Sequence, residues 1–430
     1  VDPASVVSLP VVDLRGCPVD ERESIALKVA SEEADRPFDL TAGPYFRTRL
    51  IRVEDDLHFL AFTFHHIIAD GWSTEIFKRE LIANYRHAVA GAPRSLPDLP
   101  IQYADFAAWQ REKLGPDSLG KSLSYWTEQL SGAPPAVDLP TDWPRPPYQD
   151  FVGAVCRRRI DPALLARLKA IGAEERATLF MVTLAAFFVV LARHSGQNDI
   201  CVGVPVAGRQ WVGTENLIGL FVDNLVVRGK LHDDMTFREL VREVRINCLG
   251  AYAHQEVPFE LLAQRFVHRR DPSRTPLFQV LFNLLSFSDA ELDCVPGLAV
   301  ETAVLQDLLP VQSKFDLTLY LREDPSGLSL YAVYNVKLFS AERISRLVDH
   351  LTSLLGSISS NADLKVLKTS LVTSSETTVL PDPVAPLELD RRLPNVVDQF
   401  RSHVAVAPDR CAVEYENGSL SYLRLEQESN

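Results

Sequence analysis

The chain predicts a mixed α/β protein built in two lobes, and three observations carry that prediction. Apolar runs with the periods of strands and of helices alternate along the sequence, the pattern of layered α/β structure. A proline-rich crossing from Pro134 to Pro147 interrupts the alternation and reads as a linker between lobes. A hydrophobic content of 46% over 430 residues is enough to bury substantial cores, and this length favours two or three domains.

The elements follow in chain order. A short helix is expected around Glu23 to Ala34 and a strand near Phe46 to Val53. Leu57 to Phe64, LHFLAFTF, is apolar on both alternating faces and so predicts a central strand buried on both sides. From Ser73 onward Phe77, Leu81, Tyr85 and Ala88 recur at helical spacing, which predicts an amphipathic helix with Ser73 as its N-cap. Pro93, Pro97 and Pro100 break that pattern before YADFAAW at Tyr103 to Trp109, and a helix is expected near Leu123 to Leu130. The second lobe opens with a strand at Val152 to Ile160 and a helix from Pro162 to Ile171, then a buried helix from Thr178 and a strand at Ile200 to Val206. No Gly-rich phosphate loop accompanies these elements, which weighs against a kinase or dehydrogenase.

Composition narrows the function classes. The longest apolar run, Leu179 to Ala192, is interrupted only by Thr183 and is too short to span a bilayer. The opening VDPASVVSLPVVDLRG lacks a basic start followed by an apolar block, so no signal pattern is visible. A net charge of −13 argues against nucleic acid or an anionic membrane as the main partner. Cys17, Cys156, Cys201, Cys248, Cys294 and Cys411 show no paired metal spacing. They are expected to be reduced and structural in a cytoplasmic protein, and no metal site is expected.

The most informative segment is HHIIADGWS, His65 to Ser73. It places two histidines at the end of an apolar strand and an Asp-Gly pair where a helix begins. An imidazole held there suits a general base, because it titrates near neutrality; a hydrogen-bonded structural pair is the competing reading. The Asp70 carboxylate can bond back into the turn or to an arginine, and Gly71 lets backbone approach a substrate closely.

HHIIADGWS closely resembles the active-site signature of condensation domains in nonribosomal peptide synthetases, members of the chloramphenicol-acetyltransferase-like superfamily. YADFAAW, IGLFVDNLVVR (Ile218 to Arg228), HQEVPFE (His254 to Glu260) and RDPSRTPL (Arg270 to Leu277) resemble later signatures of that family, in the same order. RPFDLTAGPYFRTRL, Arg36 to Leu50, is similar to the approach to its active site. The resemblance covers about the first 370 residues. It implies a two-lobed pseudo-dimer with a tunnel between lobes, the first lobe at residues 1–145 and the second at 146–370. After a linker at 371–392, residues 393–430 resemble the beginning of an adenylation domain, with LSYLRL at Leu420 to Leu425 similar to its first signature and Arg424 replacing a usual glutamate.

Two departures stand out. The family's opening strand and helices are absent before Val1, so the chain is expected to be an incomplete piece of a longer enzyme, poorly folded and inactive in condensation by itself, without ATP binding. Asp223-Asn224 stands where the family commonly has Asn-Thr, and Thr275 where it commonly has Asn.

The resemblance implies two thioester substrates, each on the 4'-phosphopantetheine arm of an upstream or downstream carrier domain, with no cofactor bound by this chain. It implies an adenylation domain in cis and no nucleic-acid or membrane partner. His66 would orient and deprotonate the acceptor amine or stabilise the tetrahedral intermediate. His65 would pack and hydrogen-bond, Gly71 would turn its N–H toward the oxyanion, and Trp72 is expected in the core. Asp70 would pair with an arginine from the second lobe: Arg209, with Arg270 and Arg274 as alternatives. His254 is read either as a tunnel-wall group or as a satisfied histidine at a helix boundary. RDPSRTPL is expected as a turn or a carrier-facing patch, FVDNLVVR as a strand crossing between lobes, and Asp223 as a candidate tunnel residue. Trp72 preceding Ser73 disfavours an epimerisation domain, His65 and His66 disfavour a heterocyclisation domain, and the motif resembles domains that take an L-configured donor. An O-acyltransferase of the superfamily and a non-catalytic docking member remain the alternatives.

Overall fold

Among the described residues, strand pairing builds three separate sheets, of three, six and two strands. A computed structural model describes residues 7–90, 96–114, 119–267, 270–285, 298–300, 311–324, 326–379, 395–415 and 418–429. The chain divides into two compact units, residues 1–373 and 374–430.

The larger unit begins with β1 (Val11–Asp13), α1 (Val19–Asp35), β2 (Phe46–Arg52), β3 (His58–Phe64) and α2 (Gly71–Ala90). β2 lies between β1, which is parallel to it, and β3, which is antiparallel with Phe46 opposite Phe64 and Arg52 opposite His58. β2 is therefore the central strand. The expectation of a central, doubly buried 57–64 strand is corrected: β3 pairs only with β2 among the described residues, and Leu60 is 42% exposed. Its apolar residues on both faces have another cause. Phe59 and Ala61 pack toward the core formed by Ala26, Ala30 and Ile51, while Phe62 and Phe64 meet Phe77 of α2 edge to face at 4.8 and 5.0 Å. A helix on each face selects apolar residues at both parities even in an edge strand.

Two helices follow, α3 (Tyr103–Lys113) and α4 (Gly120–Leu130), and both lean on the far lobe. Phe106 packs with Leu217 and Phe221. Trp126 is fully buried in a cluster with Leu225, Ala251, Val257 and Phe278. The proline-rich crossing is a strap laid on the second lobe rather than a free linker. Val137 is buried in its core, with its N–H donating to Gln279 Oε1 at 2.9 Å, and Asp142 pairs with Arg343 at 2.7 Å.

The second lobe contains β4 (Gly153–Ile160), α5 (Pro162–Glu174), α6 (Leu179–Ser195), β5 (Asp199–Val206), β6 (Asp223–Lys230), α7 (Phe237–Ala253), α8 (Phe259–Phe266), β7 (Val280–Leu285), β8 (Leu317–Asp324), β9 (Gly327–Asn335) and α9 (Ala341–Ser360). Its sheet runs β4-β9-β8-β7-β5-β6, with β7 parallel to both β5 and β8 and the other pairs antiparallel. α6 is apolar all round because it is buried all round. Every residue from Met181 to Ala192 is inaccessible or nearly so, Thr178 caps its start, and Gly196 closes it at φ 71°. The expected crossing of FVDNLVVR between lobes is also corrected: β6 stays in this sheet, paired with β5. The crossing is made by the loop before it, residues 207–222.

The smaller unit holds α10 (Ser374–Thr377), α11 (Val396–Val406), β10 (Cys411–Tyr415), β11 (Gly418–Ser421) and α12 (Tyr422–Ser429). β10 and β11 form an antiparallel pair, Asn395 caps α11, and Phe400 and His403 pack on Tyr422. No single described helix is long and apolar enough to cross a membrane. Cys17, Cys156, Cys201, Cys248 and Cys411 are free thiols, and Cys294 lies outside the described residues.

Candidate active site

The chain leaves β3 into a tight turn that carries both histidines. The His65 N–H donates to the Tyr45 carbonyl at 2.9 Å, its carbonyl accepts from Ile68 N–H at 3.1 Å, and its Nδ1 accepts from Ile67 N–H at 3.1 Å. Because Nδ1 accepts, the neutral ring carries its proton on Nε2. The Phe38 ring meets the His65 ring edge to face at 5.5 Å. His66, next in the turn, is exposed, and its ring makes no hydrogen bond among the described residues.

Asp70 lies in opposite surroundings. Its Oδ1 accepts from Ser73 N–H at 2.8 Å and Ser73 Oγ at 2.7 Å, and its Oδ2 from the N–H groups of Phe221 and Val222 at 3.0 and 3.2 Å. Asp70 thus caps α2, which starts at Gly71, and the expectation that Ser73 is the N-cap is corrected. A carboxylate three residues ahead competes better for the free N–H groups of the first turn. Arg209 Nη2 stands 3.1 Å from Asp70 Oδ1, with the two side chains only 3% and 2% accessible. Burial pushes the Asp70 carboxyl up, but the Ser73 and Phe221 hydrogen bonds and the Arg209 charge outweigh it and hold it below the usual carboxylate range. Burial lowers Arg209 in turn, against Asp70's pull upward. The guanidinium also donates to the Thr214 and Leu217 carbonyls at 2.7 Å each and lies 4.1 Å over the Phe221 ring.

Three further residues tie the 207–222 loop to the first lobe. Ser73 Oγ accepts from Gly219 N–H at 3.0 Å and from Arg209 Nη2 at 2.9 Å. Tyr103 donates to the Leu220 carbonyl at 2.8 Å, and a Cβ on Gly219 would stand 2.1 Å from its ring, so only glycine fits there. Trp72 donates to the Glu215 carbonyl at 3.0 Å. Trp72 is not a core residue, as expected from its size, but 44% exposed along the seam; its indole N–H finds a partner there and its apolar body stays half in solvent. Sequence patterns alone assign no site role to Ser73, Tyr103 or Gly219. YADFAAW is visible as a motif, but nothing in it says that Tyr103 reaches a backbone carbonyl across the seam.

The remaining candidates fall elsewhere. Gly71 opens α2 outside the left-handed region. Arg274 faces Asp138 at 3.6 Å and Asp271 at 3.7 Å, so neither it nor Arg270 contacts Asp70. RDPSRTPL is a turn closed by Ser273 N–H on Asp271 Oδ1 at 2.9 Å. His254 Nδ1 meets Ser122 Oγ at 2.8 Å, its carbonyl accepts from Trp126 Nε1 at 2.9 Å, and its ring stacks on Tyr125 at 4.4 Å. It is a satisfied histidine between α7 and α8. Asp223 starts β6, where burial pushes its carboxyl up to about 6 even though the N–H groups of Asn224 and Phe259 bond to it. No cluster of metal-ligating side chains occurs among the described residues.

The fold and the seam site place the chain among two-lobed, chloramphenicol-acetyltransferase-like proteins. It belongs to the condensation domain family, whose model matches residues 1–380. A linear gramicidin synthase of Brevibacillus parabrevis is 43% identical over 427 residues, 98% of this chain and 8% of that protein. Phosphinothricin tripeptide synthetase PhsC of Streptomyces viridochromogenes is 38% identical over 98% of this chain and 39% of its own length. The chain therefore spans less than half of either relative. Among solved structures, holo-AB3403, a four-domain nonribosomal peptide synthetase bound to AMP and glycine, superposes with a TM-score of 0.75 at 21% identity, over 99% of this chain and 32% of that one.

Proposed function

We propose that this condensation domain forms the peptide bond between two carrier-bound thioesters, with His66 as the group that handles the acceptor's proton. The observation that supports this reading most is the contrast within one turn: an exposed imidazole on a backbone fixed from behind by a buried interlobe ion pair. The acceptor nitrogen attacks the donor thioester carbonyl, the C–N bond forms, and the C–S bond breaks. His66 takes the proton shed by the amine and returns it to the departing thiolate. An α-ammonium has a pKa of about 7.7–8.0 and the thioester is already activated, so this demand lies within the roughly 10²- to 10⁴-fold range of positioned acid–base groups. Gly71, at the start of α2, is the candidate N–H donor toward the oxyanion.

The substrates arrive on the 4'-phosphopantetheine arms of upstream and downstream carrier domains, in a tunnel between lobes at residues 1–145 and 146–370. The donor is L-configured. Residues 393–430 are read as the start of an adenylation domain in cis, after a linker at 371–392. The reach of the relatives' similarity beyond residue 380, where the family match stops, supports that assignment. The free thiols suit a cytoplasmic enzyme. Two of the proteins named above are peptide synthetases by name, which favours an amine over an alcohol acceptor. An assay offering one loaded donor carrier to competing amine and hydroxyl acceptors tests this. Amide product is expected; ester as the main product would instead make the chain an O-acyltransferase.

A further inference from the structure

The RPFDLTAGPYFRTRL stretch has no part in the chemistry above, yet it forms the wall behind the histidine turn. Its arginines converge on a buried carboxylate of α1. Glu33 binds Arg47 Nε at 2.7 Å, Arg49 Nη2 at 2.6 Å and Arg36 Nη2 at 2.8 Å. Arg47 then donates to the carbonyls of Pro37 at 3.2 Å, Glu33 at 2.9 Å and Arg36 at 2.6 Å. These bonds lie in the guanidinium plane and leave its face free. Arg47 Cζ lies over the Phe38 ring, 3.8 Å from its centroid, where a planar, delocalised guanidinium covers the ring more broadly than the compact ammonium of a lysine would. Phe38 in turn meets the His65 ring edge to face at 5.5 Å, and Tyr45, from the same stretch, accepts the His65 N–H at 2.9 Å.

We propose that Phe38, packed under the Arg47 guanidinium of the Glu33–Arg47 pair, is a positioning residue for the reaction: it fixes the His65 ring so that Nδ1 holds the Ile67 N–H and the turn presents His66. The proposal rests on the reading of His66 as the reacting group. His65 has two attachments through its backbone, which leave the ring free to turn, and one through Nδ1, a single 3.1 Å hydrogen bond that restrains the ring only weakly. The Phe38 ring, edge to face at 5.5 Å, adds the packing that keeps this bond in place. Without it His65 turns, the Ile67 N–H is released, and His66 moves with the turn. A displacement of about 1 Å at a reacting group costs up to about 10²-fold in rate.

The test uses the enzyme at its full native length, as Phe38→Leu, Phe38→Tyr and Arg47→Lys, with two readouts. The first is the ¹⁵N signature of the His65 ring after histidine-selective labelling. The second is turnover with loaded carriers, resolved into kcat and KM for the acceptor carrier. Phe38→Leu should convert the fixed Nε2–H tautomer of His65 into an averaged signal and lower kcat about ten- to a hundredfold, with KM within about twofold. Phe38→Tyr, which keeps the ring, should restore both. Arg47→Lys, which keeps the charge but loses the flat face, should reproduce the averaged signal and serves if the leucine variant does not fold. A His65 signal unchanged in Phe38→Leu or Arg47→Lys overturns the proposal, as does an unchanged kcat. If His66→Ala turns over normally while the His65 signal still follows Phe38, then the reading of His66 fails and the ring-fixing role of Phe38 stands.

Discussion

His66 and Asp70 are four positions apart in one motif, and they live in opposite surroundings. Asp70 is inaccessible, holds four hydrogen bonds besides its arginine, and reaches the second lobe through Phe221, Val222 and Arg209. His66 is exposed and its ring has no protein partner among the described residues. A group that must meet a substrate cannot have its lone pairs occupied beforehand, whereas a group that fixes geometry must. The motif therefore divides into an anchoring half and a reacting half, joined by a turn too short to move independently.

That division predicts a graded loss of stability, largest at the anchor. Asp70→Ala strands Arg209 and the Phe221 and Val222 N–H groups in the interior, and should cost about 3–5 kcal/mol, read as a fall in denaturant midpoint. Arg209→Ala should cost a similar amount, and the double variant clearly less than the sum. Fully additive losses would mean that the pair does not act as a unit. The sign of the pH dependence follows from the lowered Asp70 carboxyl. Its contribution is present above the ordinary value of 3.8 and lost as pH falls through the lower folded value. The acid limb of the stability curve should therefore flatten in Asp70→Asn.

A smaller effect of opposite sign is expected at Asp223. Its folded value of about 6 lies above the ordinary 3.8, so between these values the folded state binds more protons and stability falls as pH rises. Asp223→Asn removes that fall and should stabilise the domain by about 1–2 kcal/mol at pH 7, allowing for the solvent that still reaches the group, with no gain below about pH 4. A uniform gain at all pH values would show that packing, not ionisation, is responsible.

The anchor was less legible in the sequence than its residue types suggest. Asp70 stands out because a carboxylate in a recognised motif invites a partner, and Arg209 follows only from what the family resemblance implies. Three of the five donors around Asp70 are backbone N–H groups, from Ser73, Phe221 and Val222, and a backbone donor leaves no trace in residue identity. The same blindness misplaced the N-cap by three residues. For the β3 strand, alternation showed correctly that both faces are apolar, but the same pattern arises from two sheet neighbours or from a helix on each face. Periodicity does not separate those cases. Phe38 stands in a stretch that resembles the approach to the active site, but its importance lies in what it touches, and a phenylalanine in a loop says nothing about which ring it will meet.

The smallest stability effect belongs to His66, and there the account is tested most directly. Single-turnover condensation and thermal midpoints should be measured side by side for His66→Ala and Asp70→Ala. His66→Ala should keep the midpoint of the unmodified chain, because an exposed ring without protein partners is removed, and lose about 10²- to 10⁴-fold in rate. Asp70→Ala should show the large midpoint fall. A His66→Ala variant that condenses at the unmodified rate, or that loses as much stability as Asp70→Ala, would contradict the division of the motif into a reacting half and an anchor.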